Sequence, residues 1–300
     1  MKKIIAYSLI ALLTSSRAFA LDPLGSPTAI SKKEQPITAS FWRDWDESLP
    51  TESIFWRNWD ESQPTDSTYV GLEFIYGEMD LHAESLSMVT SQGTLLYPSD
   101  EFKAIQTNKF YVNLVSVLSN NNDIFLRLGI MDAKPNKSQN QDNLAGDIGD
   151  SDYGFTFGGG IRNTLYQSED GKEKWGLLAQ FSYTSFDFDK KDYLVNGFET
   201  TFSATADVLE MQIALGPNYE VTDKLSVYGG PFVHFVKGDM EIRGSINGKP
   251  GHGSCDLKQE SEIGCYVGLS AELTKNSDFN VEYQFTNDAQ AIGFRLIHRF

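Results

Sequence analysis

The last ten residues, Ala291-Ile-Gly-Phe-Arg-Leu-Ile-His-Arg-Phe300, decide how the rest of the chain is read. Taken with period two, Ile292, Phe294, Leu296 and Phe300 share one face, and Gly293, Arg295 and Arg299 share the other. Successive side chains of a strand point to opposite sides, so this segment is a strand with one apolar and one basic face. It ends on the aromatic itself, with the carboxylate directly after Phe300.

The same alternation recurs upstream. Runs of about ten residues are expected at 69–78, 109–118, 123–132, 152–164, 174–184, 206–217, 225–236, 262–272 and 279–286. In the first, Val70, Leu72, Phe74 and Tyr76 oppose Gly71 and Glu73; in the ninth, Phe279, Val281, Tyr283 and Phe285 oppose Glu282 and Gln284. Gly229-Gly230-Pro231 interrupts the seventh and predicts a bulge or bend, because proline cannot donate to a ladder. Connections after the first, third, fifth and seventh runs are long, roughly 16 to 30 residues, and those after the second, fourth, sixth and eighth are short. Long outer loops alternating with short periplasmic turns are the pattern of a transmembrane β-barrel. The expected fold is therefore all-β: an antiparallel up-and-down transmembrane β-barrel of about ten strands, with eight as the alternative.

The terminal aromatic on an alternating strand and the Gly-rich Gly154-Phe-Thr-Phe-Gly-Gly-Gly160 run resemble the small outer-membrane β-barrel superfamily, of the opacity and OmpA-like type. The resemblance spans roughly residues 68–300. It implies that Phe294, Leu296 and Phe300 form an assembly signature read by the barrel-assembly machinery, and that outer-membrane lipid surrounds the apolar faces.

The other end agrees. Lys2 and Lys3, the apolar run Ile4 to Leu13 and the Ala18-Phe19-Ala20 site read as a secretory signal peptide over residues 1–20, cleaved before Leu21. Both termini of the mature chain are then expected in the periplasm of a bacterial outer membrane. The formal charge of −16 becomes −19 when Lys2, Lys3 and Arg17 leave, and so acidic a chain is no nucleic-acid binder.

Residues 21–67 are a different material and predict a periplasmic arm ahead of the barrel at 68–300. Phe41-Trp-Arg-Asp-Trp-Asp-Glu-Ser-Leu-Pro-Thr-Glu-Ser53 returns 14 residues later as Phe55-Trp-Arg-Asn-Trp-Asp-Glu-Ser-Gln-Pro-Thr-Asp-Ser67. The motif, FWRxWDESxPT, holds Trp42, Trp45, Trp56 and Trp59, four of the five tryptophans. Either these rings rest at a membrane interface, or the repeat docks to a periplasmic partner or folds back into the barrel.

If the apolar faces meet lipid, the opposite faces line a lumen holding Glu73, Arg127, Arg162, Glu210, His234, Glu282, Arg295 and Arg299, together with Gln180, Gln212 and Gln284. In a barrel this narrow, acids and arginines should pair and fill the interior, and closure of the last strand on the first should bring Arg295 or Arg299 to Glu73. No catalytic, cofactor or metal motif is present, so the chain is expected not to be an enzyme. Asp80, His82 and Glu84, at the foot of the first outer loop, are the weak exception. Cys255 and Cys265 are the candidate disulfide of an exported chain. A non-enzymatic structural or surface-interaction role through long outer loops follows. A narrow porin-like channel, or a rim-located hydrolase or acyltransferase, is the alternative. Deleting Phe300 should lower the amount of assembled barrel in the membrane fraction; unchanged membrane levels would count against the reading of the tail.

Overall fold

The computed structural model describes residues 21–299, apart from 23, 30–67, 91–92, 97–99, 136–150, 196–197, 247–248 and 260–261. The tryptophan repeat and Phe300 lie outside the described residues. Twelve strands are present among those described: β1 Thr68–Thr90, β2 Gly93–Leu96, β3 Asp100–Ser119, β4 Asn122–Pro135, β5 Gly154–Gln167, β6 Glu173–Val195, β7 Phe198–Thr222, β8 Leu225–Ile246, β9 Lys249–Lys258, β10 Ile263–Thr274, β11 Ser277–Phe285 and β12 Ala289–Arg299. All pairings are antiparallel.

Ten of these strands close a ring in the order β1, β3, β4, β5, β6, β7, β8, β10, β11, β12 and back to β1. The closing pairs are Leu225–Val233 of β8 on Ile263–Ala271 of β10, and Tyr69–Met79 of β1 on Ala289–Arg299 of β12. The expected ten-stranded barrel is therefore what the chain forms. One end of the ring carries short turns, such as Asn120–Asn121 and Asp223–Lys224, and the other carries the extensions of β1, β3, β6, β7 and β8.

Those extensions correct the expected long loops. β1 runs 23 residues and β7 runs 25, about twice the ten or so that cross a bilayer. Most of what reads as loop in the sequence is thus continued ladder. β9 completes this upper wall, pairing with β8 through Lys237–Ile246 and with β1 through His82–Thr90. It stands above the short Thr286–Asp288 connection between β11 and β12, where the amide of Asp80 donates to the carbonyl of Asp288. The one short connection at the extended end is short because a strand from elsewhere fills the wall above it.

The two halves differ in which face is apolar. Near the short turns, Leu72, Phe74, Leu126, Leu128, Phe155, Met211 and Ile213 point outward and are exposed. The interior there is polar. Past the middle of the strands the pattern inverts: Met79, Leu81, Ala83, Met131, Phe186, Phe188, Ala206, Met240, Ile242 and Leu257 are buried inside. Lys237, Asp239, Glu241 and Arg243 of β8 are exposed. Transfer of apolar surface out of water favours the first arrangement only where lipid surrounds the barrel, and the second only where water does.

At Gly229-Gly230-Pro231 no residue is inserted. Pairing of β8 with β10 runs on unbroken, while the β7 ladder lapses between Ala214↔Phe232 and Asn218↔Tyr228 and resumes in the same register. The interruption is an opening toward β7 and not a bulge.

The expected disulfide is absent. Cys255 on β9 points into the apolar interior and is buried, Cys265 on β10 is exposed, and both are free thiols. Their opposite facing leaves no geometry for a bridge. Burial, followed by the nearby Asp256 and Asp239, pushes the Cys255 thiol up to about 12. Intact mass of the native protein should match two reduced cysteines, and a thiolate-selective maleimide at pH 8 should leave Cys255 unmodified until unfolding. A mass short by two hydrogens would overturn this assignment.

Candidate functional site in the lumen

The polar half of the lumen is built by alternation. Every second residue of each strand points inward, and the ten strands bring their polar residues into one column. Glu73, Arg127, Arg162, Glu210, His234, Glu282 and Arg295 are all buried in it, with Gln180, Gln212 and Gln284. Arg299, at the short-turn mouth, is only partly buried and pairs with Asp278 across β12 and β11. Its guanidinium lies 5.9 Å from the centroid of the Tyr69 ring.

Closure of β12 on β1 places Arg295 opposite Glu73. Arg295 Nε and Nη2 donate to Glu73 Oε1 at 3.0 and 2.6 Å, and Asn113 Nδ2 donates to Oε2 at 3.0 Å. This is the contact expected from the tail. A second pair, Arg162 Nε to Asp123 Oδ1 at 2.7 Å, joins β5 and β4. The Arg162 guanidinium sits 5.2 Å from the Phe125 ring centroid.

The centre of the column is held by a residue from outside the barrel strands. Residues 21, 22 and 24–29, expected in a periplasmic arm, run inside the lumen. Leu21, Asp22, Leu24, Thr28 and Ala29 are buried. Asp22 Oδ1 accepts from Lys109 Nζ at 2.9 Å; Oδ2 accepts from Arg127 Nη2 at 2.8 Å and Ser182 Oγ at 2.5 Å. Its carbonyl accepts from Gln180 Nε2 at 3.1 Å and Gln284 Nε2 at 3.0 Å. The amides of Leu24 and Gly25 donate to the two oxygens of Glu282, each at 2.7 Å. The amide of Ala29 donates to Thr164 Oγ1 at 3.0 Å.

Gly25 has a φ of 70°, a left-handed conformation that favours glycine, and a Cβ there would collide with the Arg295 guanidinium. The segment is fitted to the wall, and the strand-paired Arg295 is part of the fit.

Lys109 also donates to Glu210 Oε1 at 2.5 Å, so one ammonium bridges two carboxylates on different elements. Glu210 Oε2 lies 3.5 Å from His234 Nε2 and accepts no hydrogen bond. The Arg127 guanidinium lies 5.0 Å from the Tyr111 ring centroid, and the hydroxyls of Tyr111 and Thr156 are 2.9 Å apart. Charges withdrawn from water must be paired to be tolerated, and this set pairs them through Asp22.

Sequence alternation identified the wall residues but missed Asp22 and Lys109. Lys109 lies on the inward parity of β3 and could have been found by extending the alternation to the first residue of the run. Asp22 carries no local signal, since nothing within residues 21–29 announces a partner more than 80 residues away. Asp80, His82 and Glu84 have the outward parity of β1, and Glu84 is paired with Lys258 of β9. No group of His, Cys, Asp and Glu able to hold a metal is found among the described residues.

Residues 126–295 match the family model of the outer membrane protein beta-barrel domain, more than half of the chain. None of the curated proteins matches in sequence. Among solved structures, the outer membrane protease OmpT of Escherichia coli is 13% identical, with 80% of this chain and 96% of that one covered at a TM-score of 0.41. An outer membrane channel of Pseudomonas putida F1 is 11% identical, with 85% and 100% covered at 0.39. The attachment invasion locus protein Ail of Yersinia pestis is 10% identical, with 78% and 100% covered at 0.26.

Removing one partner of a buried ion pair costs about 3–5 kcal/mol, since the other charge is left stranded. Arg295→Met should therefore lower the temperature at which the barrel loses its folded gel mobility. The double change Glu73→Gln with Arg295→Met should restore much of it. Equal losses in both variants would show that the pair is not what joins the last strand to the first.

Proposed function

We propose that this chain, which belongs to the outer-membrane β-barrel protein family, is a closed, non-enzymatic barrel that carries a rigid wall beyond the membrane for surface interactions. The observation that supports this most is the occupied lumen. The segment carrying Asp22, Leu24 and Gly25 crosses its polar half, clamped by Lys109, Arg127 and Glu282. The extended half above is packed with apolar side chains such as Met79, Leu81, Phe186 and Met240. An ion would have to displace a paired carboxylate below and enter an apolar interior above, and both steps are costly.

In this reading the short-turn end faces the periplasm, as in barrels generally, and the extended half stands outside the cell. Its exterior is polar and its interior is a hydrophobic core, so it needs no loop flexibility to project from the lipid. Binding residues then lie on ladder as well as on loops. The outward placement of Asp80 and His82, with Glu84 held by Lys258, supports a surface role for that patch and not a catalytic one. The exposed belt supplies the contact with outer-membrane lipid.

Planar-bilayer recording tests closure. The native protein should show no steady single-channel openings, and Asp22→Ala or deletion of 21–29 should produce them. Steady openings of the native protein that vanish in Arg127→Ala would instead support the narrow-channel reading.

A further inference from the structure

The segment that carries Asp22 is held as a ligand is held, and not as a strand. Among the described residues, no backbone–backbone hydrogen bond joins it to the wall. Its carboxylate, its carbonyl and its amides meet side chains of β3, β4, β5, β6 and β11. A side chain of β7, Asn218, meets its hydroxyls.

The principal wall groups are also held by one another. Glu210 Oε1 accepts from Lys109 Nζ at 2.5 Å, Gln212 Oε1 from Gln180 Nε2 at 2.5 Å, and Glu282 Oε1 from Gln284 Nε2 at 2.6 Å. The Arg127 guanidinium rests against the Tyr111 ring, 5.0 Å from its centroid. Lys109, Arg127, Gln180 and Gln284 each have a second partner in the wall, so the barrel itself arranges them. Groups arranged in advance lose less freedom when a ligand binds.

The order of the contacts defines a sequence. Deepest is a carboxylate, met by Lys109, Arg127 and Ser182, with the carbonyl of the same residue met by Gln180 and Gln284. Two and three residues on, successive amides donate to Glu282. The second of these positions favours glycine, because its φ is 70° and a Cβ there would collide with the Arg295 guanidinium. Ser26 and Thr28 then accept from Asn218 Nδ2 at 2.9 and 3.2 Å. The Pro27 carbonyl packs where a Cβ on Gly176 would stand. Last, the amide of Ala29 reaches Thr164, whose own amide donates to the carbonyl of Asn121 in a short turn. The segment thus runs in one direction, from mid-lumen to the short-turn mouth. A peptide entering by that mouth must enter aspartate first.

We propose that the polar half of the lumen is a peptide-binding site filled by its own chain, and that it takes in trans an extended peptide of the pattern Asp-x-x-Gly presented at the short-turn mouth. The segment carrying Asp22 is then a tethered occupant. A tether makes binding intramolecular, at an effective concentration of about millimolar, so a free peptide enters only where the tethered one is loosened or removed. The site selects aspartate because buried cations left without a carboxylate are costly. It selects glycine three residues later because Arg295 occupies the space of a Cβ. The inference rests on the closed-lumen reading, but it is tested by binding and not by conductance, so the two fail separately.

The test uses barrel purified in detergent with folded gel mobility, and a synthetic peptide of the sequence Leu21–Ala29 carrying a fluorophore at its last residue. Two variants open the site. One deletes 21–29; the other, Asp22→Asn with Gly25→Ala, keeps the tail but removes its carboxylate and its glycine, and so serves even where the deletion fails to fold. Fluorescence anisotropy should show saturable binding to the variants and none to the native protein. Asparagine in place of the peptide's aspartate should weaken binding roughly tenfold or more, the loss of charge-assisted hydrogen bonds. Adding Lys109→Met to either variant should bring the aspartate and asparagine peptides to similar, weak binding. Saturable binding to neither variant, or equal binding of the two peptides where Lys109 is intact, overturns the proposal. Binding of equal strength to the native protein, whose site is filled, overturns it as well.

Discussion

The Asp22 carboxylate between Lys109 and Arg127 is the interaction on which the rest of the interior depends. Both cations are buried, on adjacent strands β3 and β4, and both meet the same carboxylate. Lys109 also serves Glu210 on β7, so the clamp ties the internal segment to opposite sides of the ring. Withdrawing one charge from such a set strands the others in a medium that cannot solvate them. The segment that carries Asp22 thus fills the polar half of the barrel and joins its buried charges into one network.

The second constraint is the exchange of faces midway along the strands. The same ladders run through two solvents. In lipid, the apolar face turns outward and the interior is held by ion pairs and amide contacts such as Gln180 Nε2 to Gln212 Oε1 at 2.5 Å. In water, the apolar face turns inward, and the interior is held by burial of Met79, Phe186, Phe188, Ile242 and their neighbours. Backbone alternation is continuous across this boundary, and what changes is which parity carries the apolar residues. The barrel is a membrane protein at one end and resembles a water-soluble β-barrel at the other. This arrangement lets a single sheet reach well beyond the bilayer without long unsupported loops.

Closure over β11 and β12 follows from that design. Their connection at Thr286–Asp288 stops short, and a ten-stranded upper wall would be left open there. β9 fills the gap by pairing with both β8 and β1, so no strand edge is exposed at that position, where an edge would invite association.

How much of this was legible in the sequence divides along physical lines. Period-two alternation is a local property, and it was enough to identify a barrel of ten strands, the inward facing of Glu73, Arg127, Arg162, Glu210, His234, Glu282 and Arg295, and the meeting of Arg295 with Glu73 once the ends had to pair. The assumption that apolar always means lipid-facing hid the extensions: where β8 passes from Phe235 to Lys237 the alternation continues but its sense reverses, and the stretch reads as loop. Cys255 and Cys265 were close in sequence yet lie on opposite faces of different strands, which only the path of β9 could reveal. The burial of Leu21, Asp22 and Leu24 was decided by tertiary structure alone, because the partners of Asp22 are Lys109, Arg127 and Ser182, brought together only when the ring is closed. Alternation determines what a strand can face; which solvent, and which distant segment, it does face is settled by the closed barrel.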